Sequence, residues 1–254
     1  MKNIDRAWRF VGTSLLWFFF GLIGLVVGFL VLPAVRLFIK DPARRQRVAR
    51  NVISRSFGMF TRGGCILGPF DIHISGKENF DPDRSQLILA NHPTLIDVVI
   101  LISVFPQVDC VIKEAVMKNP FMGSTVSAAN YISNHEPSDL LESCVERLRT
   151  GVHLLLFPEG TRTERGQPPA LKLGAAEVAL RARCDILPVA IDCRPQFLTK
   201  ADPWYWIPES RPVFRIKILP PVPVADLVAG ELDDRHARYE LNESLTALFE
   251  AEIS

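Results

Sequence analysis

The feature that most constrains this chain is a charge-free apolar run from Val11 to Val35, dominated by Leu, Phe, Val and Gly. A helix of this length is long enough to cross a hydrocarbon core of about 30 Å. A cleaved signal peptide fits less well, because the run exceeds the usual apolar region of roughly 7–15 residues and no clear small-residue cleavage site follows it. The run therefore predicts a helical membrane anchor that stays with the protein.

Basic residues bracket this run and set its expected orientation. The positive-inside bias places the body of the protein in the cytoplasm, at the inner (cytoplasmic) membrane. Glycines along the run and Pro33 leave room for a segment that enters the membrane without crossing it, so spanning and re-entrant arrangements are both open. The basic residues are Lys2, Arg6 and Arg9 before the run, and Arg36, Lys40, Arg44, Arg45, Arg47 and Arg50 after it.

The stretch from Arg36 to about Gly68 mixes arginines with apolar residues near helical spacing, which predicts a basic amphipathic helix. Such a helix can lie on an anionic lipid surface, or it can pack on a globular domain with its arginines in water. Both arrangements are compatible, because they use different faces of the helix. We therefore divide the chain into a membrane anchor with a basic amphipathic helix, residues 1–68, and a globular domain, residues 69–254.

The globular part alternates short apolar runs with helical patterns. This alternation predicts an α/β fold with a mostly parallel central sheet flanked by helices. In such folds the chemistry gathers at loops that follow the strand ends. The predicted strands are Phe70–Ser75, Gln86–Ala90, Val108–Ile112, Val152–Phe157, Ile186–Ile191 and Val213–Leu219, and the predicted helices are Pro93–Ser103, Pro137–Thr150, Leu171–Arg183 and Asp233–Ile253.

Composition argues against several classes of function. The net charge of +1 gives no overall field that favours nucleic acid, so no nucleic-acid partner is expected. Five cysteines without a CxxC pair suit neither a disulfide framework nor a zinc site, and they favour a reducing compartment. No cluster of His, Cys and carboxylates has metal-ligand spacing, and the serine-hydrolase elbow and the nucleotide-binding loop are both missing. We expect neither a metal nor a cofactor.

The first candidate motif is NHPTLID, which directly follows the apolar run QLILA and places His92 at a strand-to-helix junction. Pro93 suits the first turn of a helix, and Asp97 would then lie about one turn inside it, within reach of the imidazole. A carboxylate in that position fixes the tautomer and leaves the other ring nitrogen free to take a proton from an alcohol. Spacing alone is a weak indication, because a histidine beside a solvated aspartate is a common arrangement.

The second candidate motif is FPEGTR, at the end of the run GVHLLLF. Arg162 can clamp an anionic group bidentately, while Glu159 can bind a hydroxyl or orient Arg162. Gly160 lets a substrate approach the backbone closely. A surface turn with an Arg–Glu pair is the alternative, and it would have to account for two such loops in one domain.

The motifs NHPTLID, FPEGTR and ILPVAID resemble, in order and approximate spacing, those of the lysophosphatidic acid acyltransferase family of glycerolipid acyltransferases. The resemblance covers about Phe70 to Leu219. It implies transfer of a fatty acyl group from a thioester, on acyl carrier protein or coenzyme A, to a hydroxyl of a 1-acylglycerol-3-phosphate acceptor. His92 would act as general base and Asp97 would orient it, with no acyl-enzyme. The implied partners are a lipid acceptor, the acyl donor and the membrane.

The same resemblance implies roles for residues around the catalytic pair. The loop containing FPEGTR would bind the acceptor, with Lys172 as the basic residue that commonly follows it. The apolar start of ILPVAID would line the acyl pocket. The expected substrate-binding residues are Asn91, Lys113, Asn134, Glu159, Gly160, Thr161, Arg162 and Lys172, and the expected acyl-pocket residues are Leu187, Pro188 and Val189.

One position departs from the family pattern. The second motif of the family usually ends in an arginine, where this chain has Asn134 in the sequence YISN. Asn supplies hydrogen bonds but no charge, so a charge-assisted contact worth about 1.5–3 kcal/mol would be lost. This favours a non-phosphate acceptor, such as an ornithine-lipid or polyene-lipid precursor, unless Arg162, Lys172 or Lys113 binds the phosphate unaided.

Two further alternatives are open. A non-catalytic, membrane-tethered lipid-binding protein would keep the fold without needing His92 and Asp97, and a hydrolase or transacylase would use the same pair on another acceptor. In addition, an aromatic group could anchor the domain at the membrane interface or simply pack on the domain. That group comprises Phe197, Trp204, Tyr205 and Trp206.

Overall fold

The computed structural model of the protein describes residues 2–118, 123–133, 137–224 and 234–253. Its centre is a sheet of seven strands, most of them short apolar segments of the kind that favours buried parallel strands. The strands are β1 (Asp71–Ser75), β2 (Gln86–Ala90), β3 (Asp109–Ile112), β4 (Ile132–Ser133), β5 (Leu154–Leu156), β6 (Asp185–Arg194) and β7 (Val213–Ile218).

The strand order across the sheet is β1-β7-β6-β2-β5-β3-β4. Strands β6, β2, β5, β3 and β4 are mutually parallel, and in the centre Ile88 pairs with Leu155 on one side and Leu187 on the other. Strand β7 runs antiparallel to β6, and β1 pairs with β7 in parallel. The predicted mostly parallel sheet is confirmed, but β4 was missed because two residues are too few to show a period.

Helices cover both faces of this sheet. On one face α4 packs with a long helix from the N-terminal region, and on the other α7, α8 and the C-terminal helix pack together. Alternate side chains of β2 pack against the helices on opposite faces of the sheet, because successive side chains of a strand point to opposite faces. The helices are α1 (Lys2–Val26), α2 (Leu32–Phe38), α3 (Pro42–Leu67), α4 (Asp97–Val104), α5 (Glu114–Met117), α6 (Gly123–Ala129), α7 (Pro137–Arg149), α8 (Gly174–Ala182) and α9 (Asp234–Ile253).

The N-terminal region forms a helical hairpin. Helix α1 passes through a π-helical turn at Val27–Val31 into α2, which has Pro33 in its first turn, and α3 then returns along α1. Helices α1 and α3 approach each other closely at Gly12, because a Cβ on this residue would lie 2.9 Å from the carbonyl oxygen of Leu67. The stretch from Asn3 to Phe38 is long and apolar enough to cross a membrane, and its most apolar window of 18 residues has a mean hydropathy of 2.7 and is 22% buried.

Helix α3 joins this hairpin to the sheet through a buried charge cluster. Arg50 lies 3.1 Å from the carboxylate of Asp109 at the start of β3, and Arg147 of α7 approaches the same carboxylate at 3.3 Å. Burial raises the pKa of Asp109, and the two guanidinium groups oppose that shift. The predicted amphipathic helix therefore packs on the domain through one face, while Arg44, Arg47, Arg55 and Arg62 are exposed on another.

Candidate active site

Four loops that follow strands β2, β3, β5 and β6 leave the same edge of the sheet. These strands are parallel, so their carboxyl ends lie side by side. The sequence motifs NHPTLID and FPEGTR follow β2 and β5, which are direct neighbours. This is the edge at which open α/β sheets bind their ligands.

His92 and Asp97 lie in direct contact at this edge. The imidazole Nδ1 is 2.9 Å from Oδ2 of Asp97, whose side chain is completely buried, whereas the imidazole is 19% exposed. With the proton on Nδ1, the ring donates to the carboxylate and Nε2 is left to accept a proton. The predicted contact between the two side chains is therefore present.

The helix that carries Asp97 begins later than the sequence predicts. We expected Pro93 in its first turn, but α4 begins at Asp97 itself and residues 91–96 form a loop. The carboxylate explains the difference, because it accepts hydrogen bonds from both the N–H (2.7 Å) and the hydroxyl (2.5 Å) of Thr94 and so folds the preceding loop back over itself. Thr94 thereby fixes both oxygens of the Asp97 carboxylate.

The side chain of Glu159 holds the backbone of His92. Its Oε1 accepts from the N–H of His92 at 2.8 Å and from the hydroxyl of Thr163 at 2.9 Å. The N–H of Thr163 in turn donates to the carbonyl oxygen of His92 at 2.8 Å. Burial raises the pKa of Glu159, and the two hydrogen bonds counteract the shift. Glu159 thus braces two loops against each other, a contact that the sequence did not predict, and its role in acceptor binding stays a prediction.

Phe157 covers the imidazole. The two rings are stacked, with centroids 4.2 Å apart and an interplanar angle of 25°. An aromatic face next to the ring restricts its rotation and attracts the positive charge that it gains during proton transfer. Phe157 therefore contributes to the orientation of the base.

The glycine and the basic residues of the second motif lie close together. Gly160 has a φ of +66°, and a Cβ there would lie 3.0 Å from the Nζ of Lys172, so this amine lies over the glycine backbone. Arg162 is half-buried, and its guanidinium donates to the carbonyl oxygens of Thr199 (3.0 Å) and Leu198 (3.3 Å) in the loop after β6. Thr161, which lies between Gly160 and Arg162 in the sequence, is also half-buried. Arg162 of the motif and Lys172, which follows it in the sequence, therefore place two cations around the loop after β5.

The remaining predicted residues have other positions. Asn91 is buried and exchanges two hydrogen bonds with the backbone of Ile191 (2.7 and 2.8 Å), so it braces β6, and its contact with the substrate stays a prediction. Lys113 is exposed at the end of β3. Asn134 lies outside the described residues. The predicted acyl-pocket residues Leu187, Pro188 and Val189 are buried within β6.

Several functional contacts were not predicted from the sequence. Thr94, Phe157 and Thr163 lie inside or beside the two motifs, but their roles depend on which atoms they meet. A hydroxyl within an apolar motif was the available signal for Thr94. No local signal marks Leu198 and Thr199, whose carbonyl groups meet Arg162 from 36 and 37 residues away.

Comparison with known proteins gives consistent results. The acyltransferase family model matches residues 71–192. A chloroplastic 1-acyl-sn-glycerol-3-phosphate acyltransferase of Arabidopsis thaliana is 27% identical over 165 residues, which is 63% of this chain and 44% of that protein. A 1-acyl-sn-glycerol-3-phosphate acyltransferase of Cocos nucifera is 32% identical over 133 residues, 50% of this chain and 42% of that protein. The chain thus spans less than half the length of these two relatives.

A solved structure extends the likeness to the whole fold. The crystal structure of the 1-acyl-sn-glycerophosphate acyltransferase PlsC from Thermotoga maritima superposes with a TM-score of 0.70 at 21% identity. The alignment covers 99% of this chain and 97% of that one, so it includes the N-terminal hairpin as well as the sheet. The chain thus carries an acyltransferase-family domain at residues 71–192, and in its motifs and in these matches it resembles the lysophosphatidic acid acyltransferases.

Proposed function

We propose that the protein is an O-acyltransferase of phospholipid synthesis that transfers a fatty acyl group from an acyl thioester to the hydroxyl of 1-acylglycerol-3-phosphate. The observation that carries the proposal is the contact of 2.9 Å between His92 Nδ1 and Asp97 Oδ2, at a sheet edge that also presents Arg162 and Lys172. The similar proteins of Arabidopsis thaliana and Cocos nucifera are 1-acyl-sn-glycerol-3-phosphate acyltransferases, which supports the choice of acceptor.

The reaction follows from the free nitrogen of His92. Nε2 accepts the proton of the acceptor hydroxyl as its oxygen attacks the thioester carbonyl carbon. Asp97 stabilises the imidazolium, and the tetrahedral intermediate then expels the thiolate, which takes the proton from Nε2 and leaves as a thiol. The acyl group passes directly between the two substrates, so no acyl-enzyme and no cofactor are required. Acyl carrier protein or coenzyme A carries the donor thioester.

The acceptor phosphate is bound, in this proposal, by the cations of the second motif. Arg162 keeps donors in addition to those that meet Leu198 and Thr199, because a guanidinium has five N–H groups. Lys172 adds a compact charge above the backbone of Gly160. Thr161 and Lys113 are the further acceptor-binding candidates on neighbouring loops.

An apolar cavity is the binding site for the acyl chain in this proposal. The sequence did not indicate this cavity. It has a volume of about 180 Å³ and lies between α1, α3 and α6. Leu187, Pro188 and Val189 are not among its lining residues, since they are packed inside the sheet core. We place the acyl chain in this cavity, which is lined by residues that include Phe20, Ile53, Phe57, Val126 and Tyr131.

We further propose that the helical hairpin, the anchor part of residues 1–68, inserts into one leaflet of the inner membrane without crossing it. Helix α1 packs along α3, which carries exposed arginines and is itself fixed to the sheet by Arg50. If α1 crossed the bilayer perpendicular to its plane, the arginines of α3 would enter the hydrocarbon core, at a large free-energy penalty. The domain of residues 69–254 then faces the cytoplasm, where its acyl donors are soluble.

The experiment is product analysis with purified protein. 1-Acylglycerol-3-phosphate is offered with acyl carrier protein or coenzyme A thioesters, and products are identified by mass spectrometry with and without acceptor. We expect acceptor-dependent phosphatidic acid, and its loss in His92→Ala with an unchanged circular dichroism spectrum. Thioester hydrolysis without acceptor would instead identify a hydrolase. Acceptor binding without turnover in the wild type would identify a lipid-binding protein.

A further inference from the structure

A second cavity lies on the outer side of the molecule, between the first three turns of α1 and the loop that follows β6. It has a volume of about 620 Å³ and is wide open to the surface. Its walls are mainly apolar and aromatic, and Arg6 is the one cationic side chain that lines it. Arg6 is exposed and forms no ion pair with the part of the chain that the structure describes. The lining residues include Arg6, Phe10, Val11, Tyr205, Trp206 and Ile207.

The mouth of this crevice carries exposed aromatic rings. Trp204 is 48% exposed and Tyr205 56%, and these two rings contact each other edge to face. Such rings prefer the headgroup level of a bilayer, at the end of an apolar segment. Phe197, which the sequence grouped with them, is instead buried in the core. The aromatic surface is therefore smaller than expected and belongs to the crevice.

The crevice is continuous with the exposed apolar side of α1. Val11 lines the crevice and also belongs to a stripe with helical spacing along the outer face of that helix. The side of α1 that we assign to the lipid leaflet thus leads directly into the crevice. The exposed apolar residues of the stripe are Ile4, Trp8, Val11, Leu15, Phe18 and Leu22.

We propose that the crevice binds an anionic phospholipid of the bilayer, with its phosphate at Arg6 and its first chain carbons against Phe10, Val11 and Ile207. This inference rests on the proposed membrane location. A cation at the mouth of an apolar groove matches an amphiphile with an anionic headgroup, because it pairs with the phosphate while the walls bury the chain. This lipid is distinct from the substrate bound near His92.

The crevice is held open by a buried arginine. Arg9 lies three residues after Arg6, is 1% exposed, and donates to the carbonyl oxygens of Pro208 (2.8 Å), Glu209 (2.8 Å) and Ser210 (3.1 Å). These bonds fix the loop to α1 and set the width between the two walls. The site is therefore preformed, which reduces the ordering needed on binding.

Hydrogen bonds connect the crevice wall with the active site. Arg165 lies over the ring of Trp206 at 5.1 Å and pairs with Asp202 at 2.9 Å. Asp202 accepts from the hydroxyl (2.8 Å) and N–H (3.1 Å) of Thr199, whose carbonyl oxygen accepts from Arg162 at 3.0 Å. A lipid that immobilises Trp206 therefore also steadies Arg162. We expect it to lower the KM for the acceptor.

The test measures lipid binding by tryptophan quenching in neutral detergent micelles. Full-length protein is titrated with phosphatidylglycerol that carries brominated acyl chains, and with brominated phosphatidylcholine as the zwitterionic comparison. We expect tighter quenching by phosphatidylglycerol, and an affinity about tenfold weaker in Arg6→Gln, the loss expected for one charge-assisted contact. Arg44→Gln removes the same charge from an exposed site on α3 and should match the wild type.

Two outcomes would overturn the inference. Equal weakening in Arg6→Gln and Arg44→Gln would show a diffuse charge effect, and equal quenching by both lipids would show general membrane contact without a headgroup site. The quenching does not depend on turnover, so a failed acyltransferase assay would leave it interpretable. In active protein, phosphatidylglycerol should lower the acceptor KM of the wild type several-fold, and Arg6→Gln should abolish that response.

Discussion

The N–H of His92 donates a hydrogen bond of 2.8 Å to Oε1 of Glu159, an atom that also accepts the hydroxyl of Thr163 at 2.9 Å. The N–H of Thr163 closes the ring by donating to the carbonyl oxygen of His92 at 2.8 Å. Both peptide groups of the candidate base are therefore held by the loop that follows β5. We therefore expect Glu159 to act on catalysis through the position of His92, as distinct from a residue that touches the acceptor.

Glu159→Met should lower kcat by about tenfold with little change in the acceptor KM, because it removes the acceptor of the His92 N–H, and a displaced base slows proton transfer. Glu159→Gln keeps an amide oxygen that can accept both hydrogen bonds, so it should retain more of the activity. Steady-state kinetics against acceptor concentration give both constants. Thr163→Ser keeps the hydroxyl and the N–H, so it should retain most of the activity, whereas Thr163→Val should lower kcat. A rise in KM at unchanged kcat in Glu159→Met would assign this carboxylate to the acceptor site instead.

Glu159→Gln also makes a prediction for stability against pH. Burial raises the pKa of Glu159 from its ordinary 4.5, so the folded protein disfavours the ionised form. The contribution of this carboxyl group to the stability of the folded protein is complete below its pKa in the unfolded chain. That contribution is lost as the pH rises through its higher pKa in the folded protein. Gln does not ionise, so the melting temperature of Glu159→Gln relative to wild type should increase from about pH 4.5 towards neutrality. A difference that stays constant with pH would contradict the role of burial.

His92→Ala should reduce acyl transfer by about 10²–10⁴-fold, the usual contribution of a general base. Asp97→Asn should give a loss of similar order, because it disturbs the tautomer of the imidazole. Rates from radiolabelled or mass-resolved product formation cover this range. His73→Ala is the matched control, since His73 is exposed on β1. Comparable activity in wild type and His92→Ala would rule out this base.

Gly160 can be tested against a second glycine with the same backbone geometry. Gly160 and Gly166 have φ values of +66° and +74°, so alanine strains both by about 1 kcal/mol. A Cβ meets Lys172 Nζ at 3.0 Å in the first case and open space in the second. We expect both variants to lose similar stability in thermal unfolding, but only Gly160→Ala to raise the acceptor KM several-fold. Equal kinetics would remove Lys172 from the acceptor site.

Local patterns explain what could be predicted from the sequence. The strands were predictable because buried parallel strands are apolar runs, and His92 and Asp97 were predictable because only four residues separate them. The brace from Glu159 to His92 spans 67 positions, and the one from Asn91 to Ile191 spans 100. Such contacts depend on which strands become neighbours in the sheet, and the hydrophobic periodicity of a sequence does not indicate the order of the strands. The start of α4 was misplaced for a related reason, because Thr94 bonds to the carboxylate ahead of it.

The buried ion cluster gives a stability prediction for the joint between the hairpin and the sheet. Arg50→Met leaves Asp109 buried with Arg147 as its remaining guanidinium partner, so the free energy of unfolding should fall by about 3–5 kcal/mol. Denaturant unfolding in detergent, followed by circular dichroism, measures the change. Arg47→Met lies on the exposed side of the same helix and should stay within about 0.5 kcal/mol of wild type. Adding Asp109→Asn to Arg50→Met should recover part of the loss, because the buried charge that had lost one of its two guanidinium partners is then gone. No recovery would assign the loss to the hydrogen bonds that Arg50 donates to the carbonyl oxygens of Ala129 and Gln107.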